Sequence, residues 1–96
     1  MTLHVIAVIP GKPEAADEVR EALTTLVAAT RQEEGCVSYD LNESTAVPGT
    51  FVTDEVWTDQ AALDGHMTTP HIAAAFAAVG DKMAGEVAIH PLTPVD

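Results

Sequence analysis

The chain has 96 residues, 47% of them apolar, and sets four Lys+Arg against fifteen Asp+Glu for a formal net charge of −11. Such a length suits one small domain over residues 1–96, and such an apolar share excludes a disordered chain. Nucleic acids and anionic membrane surfaces are both bound through Lys and Arg, so neither is expected as a partner.

Leu3 to Ile9, LHVIAVI, is a β-branched run closed by Pro10-Gly11 and predicts a strand buried on both faces, with His4 its one polar residue. Pro13 opens a helix in which Val19, Ala22, Leu23, Leu26, Val27 and Thr30 recur at three- and four-residue steps, and Gly35 is expected to end it. From Cys36 to about Ser44 polar and apolar residues alternate, as in a strand with two chemically different faces. A third strand runs from Thr50 to about Thr58, with Phe51, Thr53, Glu55 and Trp57 on one face and Val52, Asp54 and Val56 on the other. Asp59 caps a short helix that Gly65 weakens. Pro70 begins the next, whose buried stripe is Ile72, Ala75, Phe76, Val79 and Met83. The segment EVAIHPLTPV reads as a last strand whose prolines suit an edge.

Strand, helix, strand, strand, helix, strand is the split βαβ pattern of a ferredoxin-like α+β domain, in which a four-stranded antiparallel sheet carries its helices on one face. The helix-free face is expected to hold Phe51, Trp57 and the apolar column of the first strand. An apolar face of that size needs a cover, and a second copy packed sheet against sheet supplies one, so a homodimer is expected. The lone Cys36 allows no internal disulfide and the N-terminus lacks a basic n-region, so the chain reads as cytoplasmic.

The stretch TRQEEGCVSYDL followed by FVTDEVWTDQAALDGHMTTPHIAAAF resembles the antibiotic biosynthesis monooxygenase family, through Glu34, Gly35, Cys36, Tyr39, Phe51, Glu55, Trp57, Leu63, His66, Pro70, His71 and Phe76. The resemblance implies a dimeric α/β barrel of ferredoxin-like subunits with a small-molecule pocket between sheet and helices. It also implies oxygenation of a quinol or polycyclic phenol by O₂ as co-substrate, with no cofactor: no metal, flavin or haem. Haem-degrading relatives carry a histidine ligand on the second-half helix, and here the matching position is Phe76.

Cofactor-free oxygenation asks the protein to remove a proton, hold the resulting anion near O₂ and exclude water. A histidine is the natural base, and a carboxylate beside it fixes its tautomer. His66 with Glu55 is the leading catalytic set. His4 is the second candidate base, because the resemblance implies that its column points into the pocket. Trp57, Phe51, His71 and Phe76 are the candidate contacts for a small aromatic or quinol-like ligand. His66 and His71 stand five apart across Pro70 rather than at the four-residue step of a zinc-binding helix, so no metal site is expected. Cys36 follows a helix C-terminus, the wrong end of the dipole to activate a thiol, and reads as a small hydrophobe. Two alternatives use the same fold: a non-catalytic binding or stress-response module, and an isomerase that works through the same acid–base groups.

Overall fold

The computed structural model describes residues 2–96. Its elements are β1 (Leu3–Pro10), α1 (Ala16–Thr30), β2 (Cys36–Glu43), β3 (Thr50–Trp57), α2 (Gln60–His66), α3 (Pro70–Val79) and β4 (Ala88–Leu92), with 3-10 turns at Pro13–Ala15 and Gly80–Lys82. The strands pair antiparallel in the order β2-β3-β1-β4, an open sheet of ferredoxin-like topology. None of the described helices is long and apolar enough to cross a membrane.

Side-chain alternation in β1 and β3 assigns the faces. Val5, Ala7 and Ile9 are buried together with Phe51, Thr53, Glu55 and Trp57, and these residues pack against the helices. Val19, Leu23 and Leu26 of α1 and Ile72, Ala75 and Val79 of α3 close over Ile9 and Phe51. Val27 and Leu63 close over Val5, Tyr39 and Trp57. Each such apolar side chain gains about 1.5–3 kcal/mol by leaving water, which makes this face the core.

Phe51 and Trp57 therefore lie beneath the helices, not on the helix-free face where the sequence reading put them. Period-two alternation groups residues by face, but it does not say which face the helices cover. The first strand is likewise buried on one side only. Its other side shows His4 exposed and Ile6 and Val8 half-buried, next to Val52, Asp54 and Val56.

Helix α1 stops at Thr30, five residues before the Gly35 expected to end it. The N–H groups of Gln32 and Glu33 turn back onto the carbonyls of Ala29 and Thr30, which winds residues 31–35 into a tight connection. Gly35 matters there for proximity: a Cβ on it would lie 2.5 Å from Cβ of Ala62 in α2. Met83 falls beyond α3 yet still packs against the core, and β4 is a short edge strand paired with β1.

Gly49 closes the β2–β3 connection at φ 87, where an added Cβ would meet the carbonyl oxygen of Gly11 at 2.6 Å. Gly65 is the opposite case, helical and with open space around an added Cβ. Gly49→Ala is expected to cost about 1–3 kcal/mol. Gly65→Ala is expected to stabilise by about 0.4–1 kcal/mol through the unfolded chain. Urea denaturation of both variants checks the pair of opposite signs.

Candidate active site

Helix α2 is capped by Asp59, whose carboxylate accepts the N–H of Ala62 at 2.8 Å, and it ends at His66. The hydroxyl of Thr69 donates to the carbonyl of His66 at 2.8 Å and accepts the N–H of Ile72 at 3.3 Å, so one side chain closes α2 and caps α3. Pro70 then sets the first turn of α3 and His71 follows it. This junction turns two imidazoles toward the connection after α1, with ring centroids 6.0 Å apart.

Glu33 waits in that connection. Its Oε2 accepts from His66 Nδ1 at 2.6 Å and from His71 Nε2 at 2.7 Å. An ionised carboxylate only accepts, so each ring nitrogen facing it carries the hydrogen. With the proton fixed on Nδ1, a neutral His66 keeps its lone pair on Nε2. That nitrogen has no hydrogen-bond partner among the described residues. His66 is 2% exposed and is boxed by Trp57, at 4.7 Å between ring centroids, and by Tyr39, at 5.6 Å.

His66 borders a cavity of about 30 Å³ between the sheet and the helices. Tyr39, Glu55 and Met67 share its wall with Ala7 and Ile9 below and Leu23, Ile72 and Phe76 above, so the lining is mostly apolar. It has room for a water molecule or two but not for an aromatic ring. Phe76 and Ile89, 39% and 36% exposed, stand at its rim, where α3 faces the edge strand β4. A larger cleft of about 390 Å³ lies outside, between α1 and α3, and touches His71 but not His66, Glu55 or Trp57. The inner cavity is the better candidate site, because a buried imidazole meets an almost wholly apolar lining there, whereas the outer cleft mixes its alanines with Glu18, Glu21 and Lys82.

Glu55 is buried at 3% exposure and both its oxygens are engaged: Oε1 accepts Trp57 Nε1–H at 2.8 Å and Oε2 accepts the Thr53 hydroxyl at 2.5 Å. All three residues share one face of β3, two positions apart, which is why they meet. Glu55 thus borders the cavity and holds the tryptophan, while the carboxylate that orients His66 is Glu33 and not Glu55. Burial, and after it the nearby Glu55, pushes the Tyr39 phenol well above its ordinary range, so it stays protonated and is no base. Burial also raises the Cys36 thiol, in keeping with an inert side chain.

Of the sequence candidates, the structure brings His66, Glu55 and Phe76 to the cavity. Trp57 stands behind His66 as a prop, and Phe51 lies in the core beside Val19 and Leu23, with the Arg20 guanidinium 5.7 Å from its ring; neither lines the cavity. His71 reaches the outer cleft and contacts the site only through Glu33. His4 is on the opposite face of the sheet, 2.6 Å from Asp54 and half exposed, so the column expected to enter the pocket points away from it. The residue that sequence reasoning missed is Glu33. Beside Glu34 it looks like a second solvated carboxylate, and only the turn that leads into Gly35 separates the two.

The described residues hold one donor cluster of the metal-ligating kind, Glu33 with His66 and His71. Its contacts have hydrogen-bond lengths in this state.

A family model described as antibiotic biosynthesis monooxygenase matches residues 2–78. Rv0793 of Mycobacterium tuberculosis, a candidate monooxygenase, is 39% identical over 92 residues, spanning 96% of this chain and 90% of its own. Its solved structure superposes with a TM-score of 0.89 at 36% identity, over 100% of this chain and 97% of that one. A crystal structure of an antibiotic biosynthesis monooxygenase gives a TM-score of 0.91 at 37% identity, covering 98% of this chain and 99% of the other. YcnE of Bacillus subtilis, also a candidate monooxygenase, is 42% identical over 65 residues, 68% of each chain.

Replacing Glu55 by Ala leaves the indole N–H of a fully buried tryptophan without an acceptor. The expected loss is about 1–3 kcal/mol of stability. Glu55→Gln, which keeps an acceptor oxygen, should lose less. Thermal or urea unfolding distinguishes these from the change within about ±0.5 kcal/mol typical of a surface site.

Proposed function

The chain belongs to the antibiotic biosynthesis monooxygenase family, and from that membership we propose that it is a monooxygenase acting on a quinol or polycyclic phenol without metal or flavin. The observation that supports this most directly is His66: a buried imidazole, oriented by Glu33 through Nδ1, with Nε2 unshared beside an apolar cavity.

In this reading Nε2 takes a proton from the substrate, and Glu33 stabilises the imidazolium that forms, as a carboxylate does when it holds a catalytic histidine. The substrate anion is then electron-rich enough to reduce O₂ itself. For an anthrone the balance is R₂CH₂ + O₂ → R₂C=O + H₂O. One oxygen atom enters the ring system and the other leaves as water, with all four electrons drawn from the substrate. The apolar lining serves by keeping bulk water from the anion. Because the inner cavity is smaller than any aromatic ring, the substrate enters by parting Phe76 from Ile89, and the edge position of β4 makes that the yielding wall.

The same reading includes a homodimer, resting on a different set of residues from the one the sequence suggested. Ile6, Val8, Val52 and Val56 form the apolar part of the helix-free face, beside the His4–Asp54 pair. A second copy laid on this face covers all of it.

Oxygen uptake with anthrone and with 1,4-naphthohydroquinone, in chelator-treated buffer, tests the activity; no uptake above the buffer rate with either would sink the oxygenase reading. His66→Ala is expected to lower turnover by about 10²–10⁴-fold, the usual worth of a general base. Glu33→Gln should act in the same direction, because an amide no longer dictates the tautomer. His4→Asn, on the other face, should turn over like the parent chain. For assembly, sedimentation is expected to show a dimer at micromolar concentration that Val8→Glu converts to monomer.

A further inference from the structure

In the Glu33, His66 and His71 cluster the donor atoms are His66 Nδ1, His71 Nε2 and a Glu33 carboxylate oxygen, all within 4.8 Å of one another. They come from three segments, the connection after α1, the end of α2 and the first turn of α3, so no one-helix spacing could have announced them. Two imidazoles and a carboxylate, with a fourth position left to water, form a donor set that zinc uses.

As the chain stands, protons occupy the two short contacts, at 2.6 and 2.7 Å. Zinc held ~2.0–2.1 Å from each donor spreads a tetrahedral set to ~3.3 Å. The carboxylate must therefore withdraw by about 0.6–0.7 Å, and the imidazole nitrogens, no more than 4.8 Å apart, must close toward ~3.3 Å by a swing of His71. Glu33 has that freedom, being an unbranched side chain on a turn and 17% exposed, whereas His66 is locked between Trp57 and Tyr39. His71 is 24% exposed and opens to the outer cleft, which gives an ion its way in and a water its place. The net charge of −11 raises the local concentration of cations.

We propose that Glu33, His66 and His71 bind Zn²⁺, and that the bound ion silences the site. The ion occupies the lone pair of Nδ1, which moves the ring hydrogen of His66 to Nε2. The cavity then faces an N–H donor where it had faced a base. Binding rests on the geometry alone, while silencing rests also on the reading of His66 as the proton acceptor.

The test titrates ZnCl₂ into the chelator-treated chain by calorimetry, follows the ring nitrogens of ¹⁵N-histidine-labelled protein by NMR, and measures oxygen uptake with anthrone. Expected are one zinc per chain and transfer of the His66 hydrogen from Nδ1 to Nε2. Affinity should fall at least ~10-fold in Glu33→Gln and in the surface-accessible His71→Asn. His4→Asn and His90→Asn should bind as the parent does. Absence of saturable binding, or binding that survives both Glu33→Gln and His71→Asn, overturns the site. Zinc that binds without moving the His66 hydrogen, or that leaves anthrone oxidation untouched, overturns the silencing. If zinc binds and shifts the tautomer while the zinc-free chain oxidises nothing, the site stands and the oxygenase reading falls.

Discussion

One carboxylate oxygen, Oε2 of Glu33, receives hydrogen from two imidazoles, and the candidate site is arranged around that junction. It ties the connection after α1 to the last turn of α2 and the first turn of α3. A hydrogen bond to a charged group contributes about 1.5–3 kcal/mol, more than a neutral one, and two of them on one oxygen make the local geometry stiff. Thr69 adds the complementary constraint from the backbone side, by joining the carbonyl that ends α2 to the N–H that starts α3. Chemical asymmetry follows: one ring is sealed among aromatics beside the cavity and the other is turned toward solvent.

The two buried or half-buried acids divide the work by what they accept. Glu55 takes neutral donors, the indole of Trp57 and the hydroxyl of Thr53, and its result is positional: the indole is held against His66. Glu33 takes imidazole N–H groups, and its result is electronic, since it decides which nitrogen keeps the lone pair. Tyr39 meets Trp57 edge-on, with planes 78° apart, and so completes the frame from β2. Such edge-to-face contacts add about 0.5–1.5 kcal/mol beyond burial, which is enough to keep a ring from rotating out of register.

Much of the fold was legible because its signals are periodic. The β3 alternation, the stripe of α1, the cap at Asp59 and the helix start at Pro70 appear in the sequence as they do in space. The face assignment was not legible: Phe51 and Trp57 announce a shared side, and nothing local to β3 tells whether α1 or solvent lies over it. For the site, Glu55 stood out as a carboxylate among the apolar residues of one strand face, and His66 stood out as a candidate base through the family resemblance. Glu33 did not, because its significance depends on a turn that brings positions 33, 66 and 71 together, and separation along the chain hides such a meeting. His4 misled for a related reason. Its neighbours Ile6 and Val8 make its column look interior, while Val5, Ala7 and Ile9 form the column that is.

Gly35 carries a consequence for how sequences of this kind are compared. The missing Cβ is where α2 rests on the connection that bears Glu33, and the carbonyl of Gly35 also receives the N–H of Thr58 at 2.9 Å. A methyl group there would lift α2, and with it His66, away from the carboxylate without altering either chemical group. Two chains could then spell the same acid and the same imidazole and differ in how readily a proton passes between them. The spelling of the reactive groups is therefore an incomplete description of the site, and the width of one backbone contact belongs to it as well.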